Sequence, residues 1–347
     1  MPHAKEPTLT RRQMLTQTGA AAAALSVGSQ LADARAGAQE ETTKPGEEGN
    51  LPACDVPWIK GRFRHVLYPT GATLGKLPPE TWYINDHCFV VAADKTIHWY
   101  GITNPYSRGG NPYGPGTHRH IGHASAAQPF GPWTAHEHAL ALPEGTEGNI
   151  GAPFVQKVGA KYYMYYGCNK AGLSTAVSDD LFTWKPLEDV PKIDLGASTR
   201  DPCVLKLDDG RMLMYAAAND KDDASGVGLA ESTGGLKWER RPHALRSDIF
   251  RPWCLLESPA VIRHGELYYL FSNHSHHQYA ETVVYASRDP FTFDYTKPLG
   301  TLFAHAAEFF DFDGKTYISH CGIEDQHWRA NQDPNGLWLA ELGWLKQ

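Results

Sequence analysis

The chain has 347 residues, a formal net charge of −7, and 41% hydrophobic and 20% charged residues. This composition is ordinary for a globular protein and argues against a disordered chain. A negative net charge offers no basic field for nucleic acid or for an anionic membrane surface, so neither is predicted as a partner. The composition leaves the oligomeric state open.

The N-terminal segment, residues 1–36, is predicted to be an export signal. Arg11 and Arg12 give its charged start, residues 19–31 an apolar stretch, and Ala-Asp-Ala or Ala-Arg-Ala a cleavage site. The arginine pair with Leu15 soon after resembles a twin-arginine signal and predicts a periplasmic or secreted protein. A chance Arg-Arg pair before an alanine-rich helix is the alternative.

The rest of the chain is predicted to be a short linker and one domain. Residues 37–50 have the composition of a disordered linker, and residues 51–347 are predicted to form a single domain. No segment in that domain approaches the roughly 20 apolar residues that a membrane span needs. Its cysteines are scattered singly, which favours buried free thiols over a disulfide framework.

A repeat runs through this domain. Ser125, Ser178, Ser232 and Ser287 stand in similar stretches at intervals of 53, 54 and 55 residues, and Glu341 follows 54 residues later. Each copy is predicted to be an edge strand that ends in a turn. A second feature, two strands joined by a tight Asp or Gly turn, has the same period.

Five copies of a four-stranded antiparallel unit predict an all-β fold, a five-bladed β-propeller. Residues 51–75 are expected to add a closing strand or to pack across the base. The innermost strand of each blade begins at a shared central funnel. Asp86, Asp201 and Glu257 stand near the starts of the first, third and fourth of these strands. Carboxylates that converge on one wet cleft suit cleavage of a glycosidic bond.

These motifs, Asn-Asp in the first inner strand, Arg-Asp-Pro in the third and Glu-Ser-Pro in the fourth, resemble those of the five-bladed propeller glycoside hydrolases. That superfamily comprises families 43 and 62, the related families 32 and 68, and family 117. The likeness covers about residues 80–345. The segment around Glu257 is more similar to family 43, whereas residues 82–86 are closer to families 32 and 68. His87 stands where a proline is usual.

The resemblance implies a role for each carboxylate. Asp86 would be the general base of an inverting enzyme, or the nucleophile of a retaining one. Asp201 would orient the substrate and keep the acid protonated through like-charge proximity. Glu257 would be the general acid. From the residues alone, Asp86 and Asp201 are also compatible with turn positions, and Glu257 with an ion pair to an arginine such as Arg251.

Further side chains are predicted to bind the sugar. The histidines lack the helical i, i+4 spacing of a zinc enzyme, so funnel-facing hydrogen bonds to hydroxyl groups fit them better, with solvated loops as the alternative. The predicted substrate-binding residues are Trp82, His87, Trp99, His120, His123, Arg200, Trp253 and His274. Trp133, Trp184 and Trp238 follow the blade period and are predicted to be structural.

No cofactor is predicted to be required. Many family 43 members hold a calcium ion near the channel axis with a histidine and waters, and His320 is the candidate for that place, with a buried core histidine as the alternative. The domain is thus predicted to be an exported glycoside hydrolase that cleaves a plant or algal oligo- or polysaccharide, arabinofuranosidase- or xylosidase-like and inverting. The rivals are a retaining fructan- or sucrose-cleaving enzyme, a phosphorylase, and a non-catalytic carbohydrate-binding propeller.

Overall fold

The computed structural model describes residues 54–67, 82–105, 118–143, 148–168, 172–220, 224–250, 255–274, 281–321 and 336–346. These residues belong to one compact unit, Leu51–Gln347. The predicted signal (1–36) and linker (37–50) lie outside them. All regular secondary structure in the described residues is β-strand. No helix in this part of the chain is long and apolar enough to cross a membrane.

The described strands form five antiparallel sheets, which confirms the predicted five-bladed propeller. Blade one contains β2 (Trp82–Val91), β3 (Ile97–Pro105) and β4 (His120–Ala126). Two short strands, β5 (Thr134–Ala135) and β6 (Leu140–Ala141), both pair with β4 and together form its outer edge.

The next three blades repeat one order of strands, from the innermost to the outermost. Blade two consists of β7 (Ile150–Val158), β8 (Lys161–Cys168), β9 (Leu173–Ser178) and β10 (Lys185–Pro186). Blade three consists of β11 (Ala197–Lys206), β12 (Met212–Asn219), β13 (Ala224–Ser232) and β14 (Glu239–Phe250). Blade four consists of β15 (Leu256–His264), β16 (Leu267–His274), β17 (Glu281–Ser287) and β18 (Gly300–Phe303).

Blade five joins the two ends of the domain. It contains β19 (Phe309–Phe312), β20 (Lys315–His320) and β21 (Leu337–Leu345), and β1 (Val56–Leu67) adds the outermost strand by pairing with β21. The predicted closing strand is therefore confirmed. Because one blade takes strands from both ends of the domain, the ring of blades is closed by hydrogen bonds rather than by a covalent link.

Tight turns join the first two strands of the blades. Gly159 and Gly265, both with φ of +61°, occupy these turns in blades two and four, and Asp313 and Gly314 (φ +47° and +75°) occupy that of blade five. Positive φ at the centre of a two-residue hairpin matches the twist of the flanking strands, and glycine adopts it without strain. These turns are the Asp and Gly signals visible in the sequence.

The serine repeat ends the third strand of each blade. It does not mark an edge strand, as the sequence had suggested, because a fourth strand lies outside it. The serine hydroxyl accepts a hydrogen bond from the following turn: Ser178 from the amide of Leu181 (2.9 Å) and Ser232 from that of Gly235 (2.9 Å). The period thus records a turn with a side-chain cap.

In blades two, three and four this turn also receives a buried tyrosine from the preceding blade. The hydroxyl of Tyr165 in blade two donates to the carbonyl of Gly235 in blade three (2.8 Å), and Tyr215 donates to Pro290 in blade four (2.8 Å). Tyr100 makes the equivalent bond to Leu181. A buried tyrosine needs such a partner for its hydroxyl, so these bonds fix how neighbouring blades pack.

Removal of β1 should destabilise the whole domain. A chain that starts at residue 68 loses the pairing to β21 and exposes an unpaired edge, so its Tm should fall by roughly 10 °C or more relative to a chain that starts at residue 51. Thermal unfolding followed by circular dichroism measures this difference. Equal Tm values for the two chains would show that β1 does not close the ring.

Candidate active site

A bulge at the start of the inner strands builds the site. In blades two to five one residue there has a left-handed backbone: Ala152 (φ +45°), Asp201 (+55°), Ser258 (+45°) and Ala306 (+50°). The pairing register shifts at the equivalent place in blades one to four. A bulge re-aims its side chains, and proline, which follows the first three of these residues, is tolerated at such positions.

The bulge residues and Asp86 form a ring around a small central pocket, which we call the carboxylate ring. The ring comprises Asp86, Ala152, Asp201, Ser258 and Ala306, one residue from each blade. With it, the described residues that line the pocket are His87, Pro153, Pro202 and Glu308. Three of the lining side chains are acids, and none is a lysine or arginine. The pocket therefore concentrates negative charge.

Both carboxylate oxygens of Asp86 accept hydrogen bonds. The amide of Asn85 donates to Oδ2 (3.0 Å) and the hydroxyl of Ser258, from blade four, donates to Oδ1 (2.7 Å). Burial raises the pKa of Asp86, whereas the Ser258 hydroxyl and the charge of Arg200 act to lower it. Two donors on two oxygens fix the plane of the carboxylate and favour its charged form.

Asp201 lies next to Asp86 in this network. Its Oδ2 accepts the backbone N–H of Ser258 (3.1 Å) and lies 3.6 Å from Nε of Arg200. Burial raises the pKa of Asp201 to about 7, and the negative charge of Asp86 adds to the rise. Two neighbouring carboxylates do not both ionise easily, so the pair favours a state in which one of them carries a proton.

Glu257 is one residue away from its expected position. The sequence aligned it with Asp86 and Asp201, but Ser258 occupies the ring, and Glu257 shares the preceding position with Arg200. Nη2 of Arg200 donates to Oε1 of Glu257 at 2.8 Å, and the Glu257 side chain keeps 14% of its surface exposed. The predicted substrate-binding residue Arg200 thus contacts both Glu257 and Asp201.

A fourth carboxylate, Glu308, was missed by the sequence analysis. It precedes β19 in blade five and lines the same pocket. Burial and the charges of Asp86 and Asp201 raise the pKa of Glu308 well above its usual value, which favours its protonated form. Its place in the repeat was visible in the sequence, because "HAAEFFDFD" is the inner stretch of blade five.

His87 lines the pocket but is buried, with 2% of its surface exposed. Its Nε2 shares a hydrogen bond with Oγ of Ser319 in blade five (2.7 Å). Burial lowers the pKa of His87 to about 3, so its imidazole is neutral at physiological pH. His87 therefore links blades one and five at the pocket wall. Of the predicted residue Trp82, only the backbone is described, at the start of β2. Trp253 lies outside the described residues.

Four predicted ligands lie inside blades, which corrects the expectation that they face the funnel. They stand on second or third strands, whose side chains meet neighbouring strands and blades rather than the axis. Trp99 is 2% exposed and packs among Ile84 and Phe89. His123 stacks on Tyr100 (4.7 Å between ring centroids). The remaining two are His274 and His320.

His274 shares a hydrogen bond with the hydroxyl of Tyr285 (3.2 Å) inside blade four. His320 lies on β20, the second strand of blade five and not an inner strand, with its ring against Phe63 (4.3 Å) and Trp338 (5.7 Å). These aromatic surroundings do not suit a calcium ligand. His120, at the start of β4, packs against His138 (4.6 Å between ring centroids) and lies outside the pocket lining.

The described residues contain no group of three or more His, Cys, Asp or Glu side chains that could hold a metal ion. The predicted calcium ion therefore has no ligand set in this part of the chain. The cysteines fit their prediction better: Cys54, Cys88, Cys203 and Cys321 are buried free thiols.

Comparisons with known proteins give one family match and several structures of similar fold. The sequence model of Glycosyl hydrolases family 43 matches residues 130–297, a segment that contains Asp201 and Glu257 but not Asp86. No curated protein matches the chain.

Solved structures with the same fold come from several glycoside hydrolase families. A family 43 β-xylosidase/α-arabinofuranosidase from a compost microbial metagenome, in complex with xylotriose and calcium-free, is 19% identical (TM-score 0.57; 82% of this chain, 95% of that one). A family 117 glycoside hydrolase of Zobellia galactanivorans is 15% identical (0.58; 84% and 91%). A family 32 β-fructofuranosidase of Bombyx mori is 17% identical (0.56; 82% and 63%).

The resemblance predicted from the motifs is thereby confirmed. The chain has the five-bladed β-propeller fold of these glycoside hydrolases, and its family 43 match over residues 130–297 supports hydrolysis of glycosidic bonds as its class of activity.

The buried histidines of blade one should make the protein sensitive to acid. Burial lowers the pKa of His98 to about 4 and that of His123 to about 3, and their rings share a hydrogen bond (2.9 Å). The unfolded chain binds these protons below pH ~6.5 and the folded chain does not. Stability is thus full above that pH and falls by up to about 1.4 kcal/mol per pH unit per histidine as pH drops toward 4.

Urea unfolding at pH 7 and pH 5 measures this loss. His123→Phe keeps an aromatic ring in the stack but removes one titrating group, so its loss of unfolding free energy between the two pH values should be about 2 kcal/mol smaller than that of the wild type. An equal loss in both proteins would mean that His123 is not held neutral.

Proposed function

We propose that the protein hydrolyses a glycosidic bond of a plant or algal oligo- or polysaccharide, of the arabinofuranoside or xyloside type, with inversion at the anomeric carbon. The observation that carries this proposal is the linked set of Asp86, Asp201 and Glu257, in which the two aspartates line one pocket and Arg200 joins Glu257 to them. The family 43 and xylosidase/arabinofuranosidase comparisons support the sugar type.

Asp86 is assigned as the general base. A base must be ionised and oriented so that a free lone pair can take a proton from water. The two hydrogen bonds to Asp86 support both requirements, because they favour the charged carboxylate and hold its plane. Asp201 is assigned to orient the substrate and, through like-charge proximity, to keep the acid protonated.

Glu257 is assigned as the general acid. Its side chain is more exposed than that of Asp201 (14% against 7%), which leaves it better placed to reach a leaving group. Its ion pair with Arg200 favours the ionised form, so Glu257 must leave this pair to carry a proton. Asp201, 3.6 Å from Arg200, offers the arginine a second partner, and a sugar hydroxyl offers a third.

A retaining fructan- or sucrose-cleaving enzyme is the second candidate. The Trp-Tyr-Ile-Asn-Asp stretch that ends at Asp86, together with the likeness to the Bombyx mori β-fructofuranosidase, favours it. There Asp86 would attack the anomeric carbon itself. A purely carbohydrate-binding propeller has less support, because it would have no need for three linked carboxylates.

Export to the periplasm or the cell exterior is also proposed. It rests on residues 1–36, with Arg11 and Arg12 ahead of an apolar stretch and small-residue cleavage sites. The proposal assigns no step to calcium, since carboxylates alone supply the acid and the base.

The stereochemistry of the product separates the two candidates. With arabinan, xylan or fructan oligosaccharides, NMR during the first minutes should show the anomer inverted relative to the substrate, because a carboxylate pair ~6.5–9.5 Å apart leaves room for water. Retention, or a covalent adduct trapped on Asp86, would transfer the protein to the second candidate.

The roles of the carboxylates can be separated by the leaving group. The leaving group of a natural glycan is an alkoxide, which needs a proton to depart. A nitrophenolate leaving group is already stable as an anion and hardly needs one. Glu257→Ala should therefore lower kcat/KM for the glycan by ~10²–10⁴-fold and spare much of the activity on a nitrophenyl glycoside. Asp86→Ala and Asp201→Ala should lose activity on both substrates.

Circular dichroism and Tm confirm that each variant is folded before its kinetics are compared. Equal losses on both substrates for a folded Glu257→Ala protein would remove Glu257 from the acid role. Wild-type activity in all three variants would end the catalytic assignment.

A further inference from the structure

Ser258 makes two hydrogen bonds that join two different carboxylates. Its hydroxyl donates to Oδ1 of Asp86 (2.7 Å) and its backbone N–H donates to Oδ2 of Asp201 (3.1 Å). Asp86 belongs to blade one, Asp201 to blade three and Ser258 to blade four. A single buried residue, 8% exposed, therefore bridges three blades at the pocket.

The backbone of Ser258 is held in a conformation that serine rarely adopts. Its φ of +45° lies in the left-handed region, between Glu257 and Pro259. The equivalent ring residues of blades two and five, Ala152 and Ala306, have φ of +45° and +50° but carry no polar group. The fold thus accepts alanine at this position, and the hydroxyl of Ser258 is an addition that folding does not require.

The other groups that face Asp86 differ from Ser258 in kind. Asn85 holds the opposite oxygen, Arg200 acts through its charge, and Asp201, Glu308 and the Cys321 thiol are acids around the same carboxylate. Among the described residues, the Ser258 hydroxyl is the one side-chain donor to Oδ1 of Asp86. Loss of its hydroxyl would leave this oxygen buried beside further acids.

We propose that Ser258 is a positioning residue, which holds Asp86 ionised and oriented and couples it to Asp201 and, through the chain, to Glu257. The proposal rests on the assignment of Asp86 as the base. Glu257 directly precedes Ser258 and pairs with Arg200, which directly precedes Asp201, so the three carboxylates form one closed circuit of contacts. A substitution at Ser258 should therefore change the ionisation and orientation of Asp86 more than it changes substrate binding.

Two variants separate the hydroxyl from the backbone. Ser258→Ala removes Oγ and keeps the N–H donor to Asp201, and Ser258→Gly removes Oγ and also relieves the unfavourable φ. Ser247→Ala is the matched control, since it removes a buried hydroxyl (to the Ser225 carbonyl, 2.8 Å) on β14, the outermost strand of blade three. Tm measurements verify that each variant is folded.

The first readout needs no substrate. In protein labelled with ¹³C at the aspartate carboxyl carbon, with Asp86→Asn used to assign the signal, Asp86 should titrate about one pH unit higher in both Ser258 variants than in the wild type. Ser247→Ala should titrate as the wild type does. The second readout is activity: the acid limb of kcat/KM should move up by the same amount, and kcat should fall about tenfold with KM little changed.

Three results would overturn the proposal: an unshifted Asp86 titration in the Ser258 variants, a shift in Ser258→Ala that Ser258→Gly does not share, or an equal shift in Ser247→Ala. A wild-type protein that cleaves no glycan would instead overturn the proposed function. The NMR titration would then still decide whether Ser258 holds Asp86.

Discussion

The left-handed bulge at the start of the inner strands is the feature on which the site depends. In an unbroken strand, successive side chains alternate between the two faces, and neighbouring residues could not serve one pocket together. The bulge breaks this alternation, so that Asp201 lines the pocket while Arg200 reaches Glu257 on the next blade. Such backbone strain persists only where the surrounding structure enforces it.

That enforcement comes from contacts between blades. The buried tyrosines of the second strands, such as Tyr165 and Tyr215, bond to turn carbonyls of the following blade, and β1 completes the ring by pairing with β21. These contacts set the distance between inner strands, and hence the distances between Asp86, Ser258 and Asp201. The periodic part of the chain is therefore a scaffold, and the departures from the period at the ring positions carry the chemistry.

The fold was predictable because its sequence signals repeat. The direction in which individual side chains point was not predictable in this way. The serine period and the glycine turns recur in phase, which fixed five blades and located Asp86 and Asp201. Glu257 was placed one position off because the hydrophobic pattern does not mark where along the strand the bulge lies. His123 and His320 were misplaced because composition does not show which strand of a blade a histidine occupies. Glu308 was overlooked although it follows the same repeat.

A sugar bound at the carboxylate ring should meet an acid on one side and a base-held water on the other. A crystal structure of the Asp86→Asn protein with a bound oligosaccharide tests this most directly. We expect the glycosidic oxygen ~2.6–3.2 Å from the Glu257 carboxyl group, and a water between residue 86 and the anomeric carbon. A sugar bound outside the ring, or one whose anomeric carbon contacts residue 86 with no room for water, would contradict it.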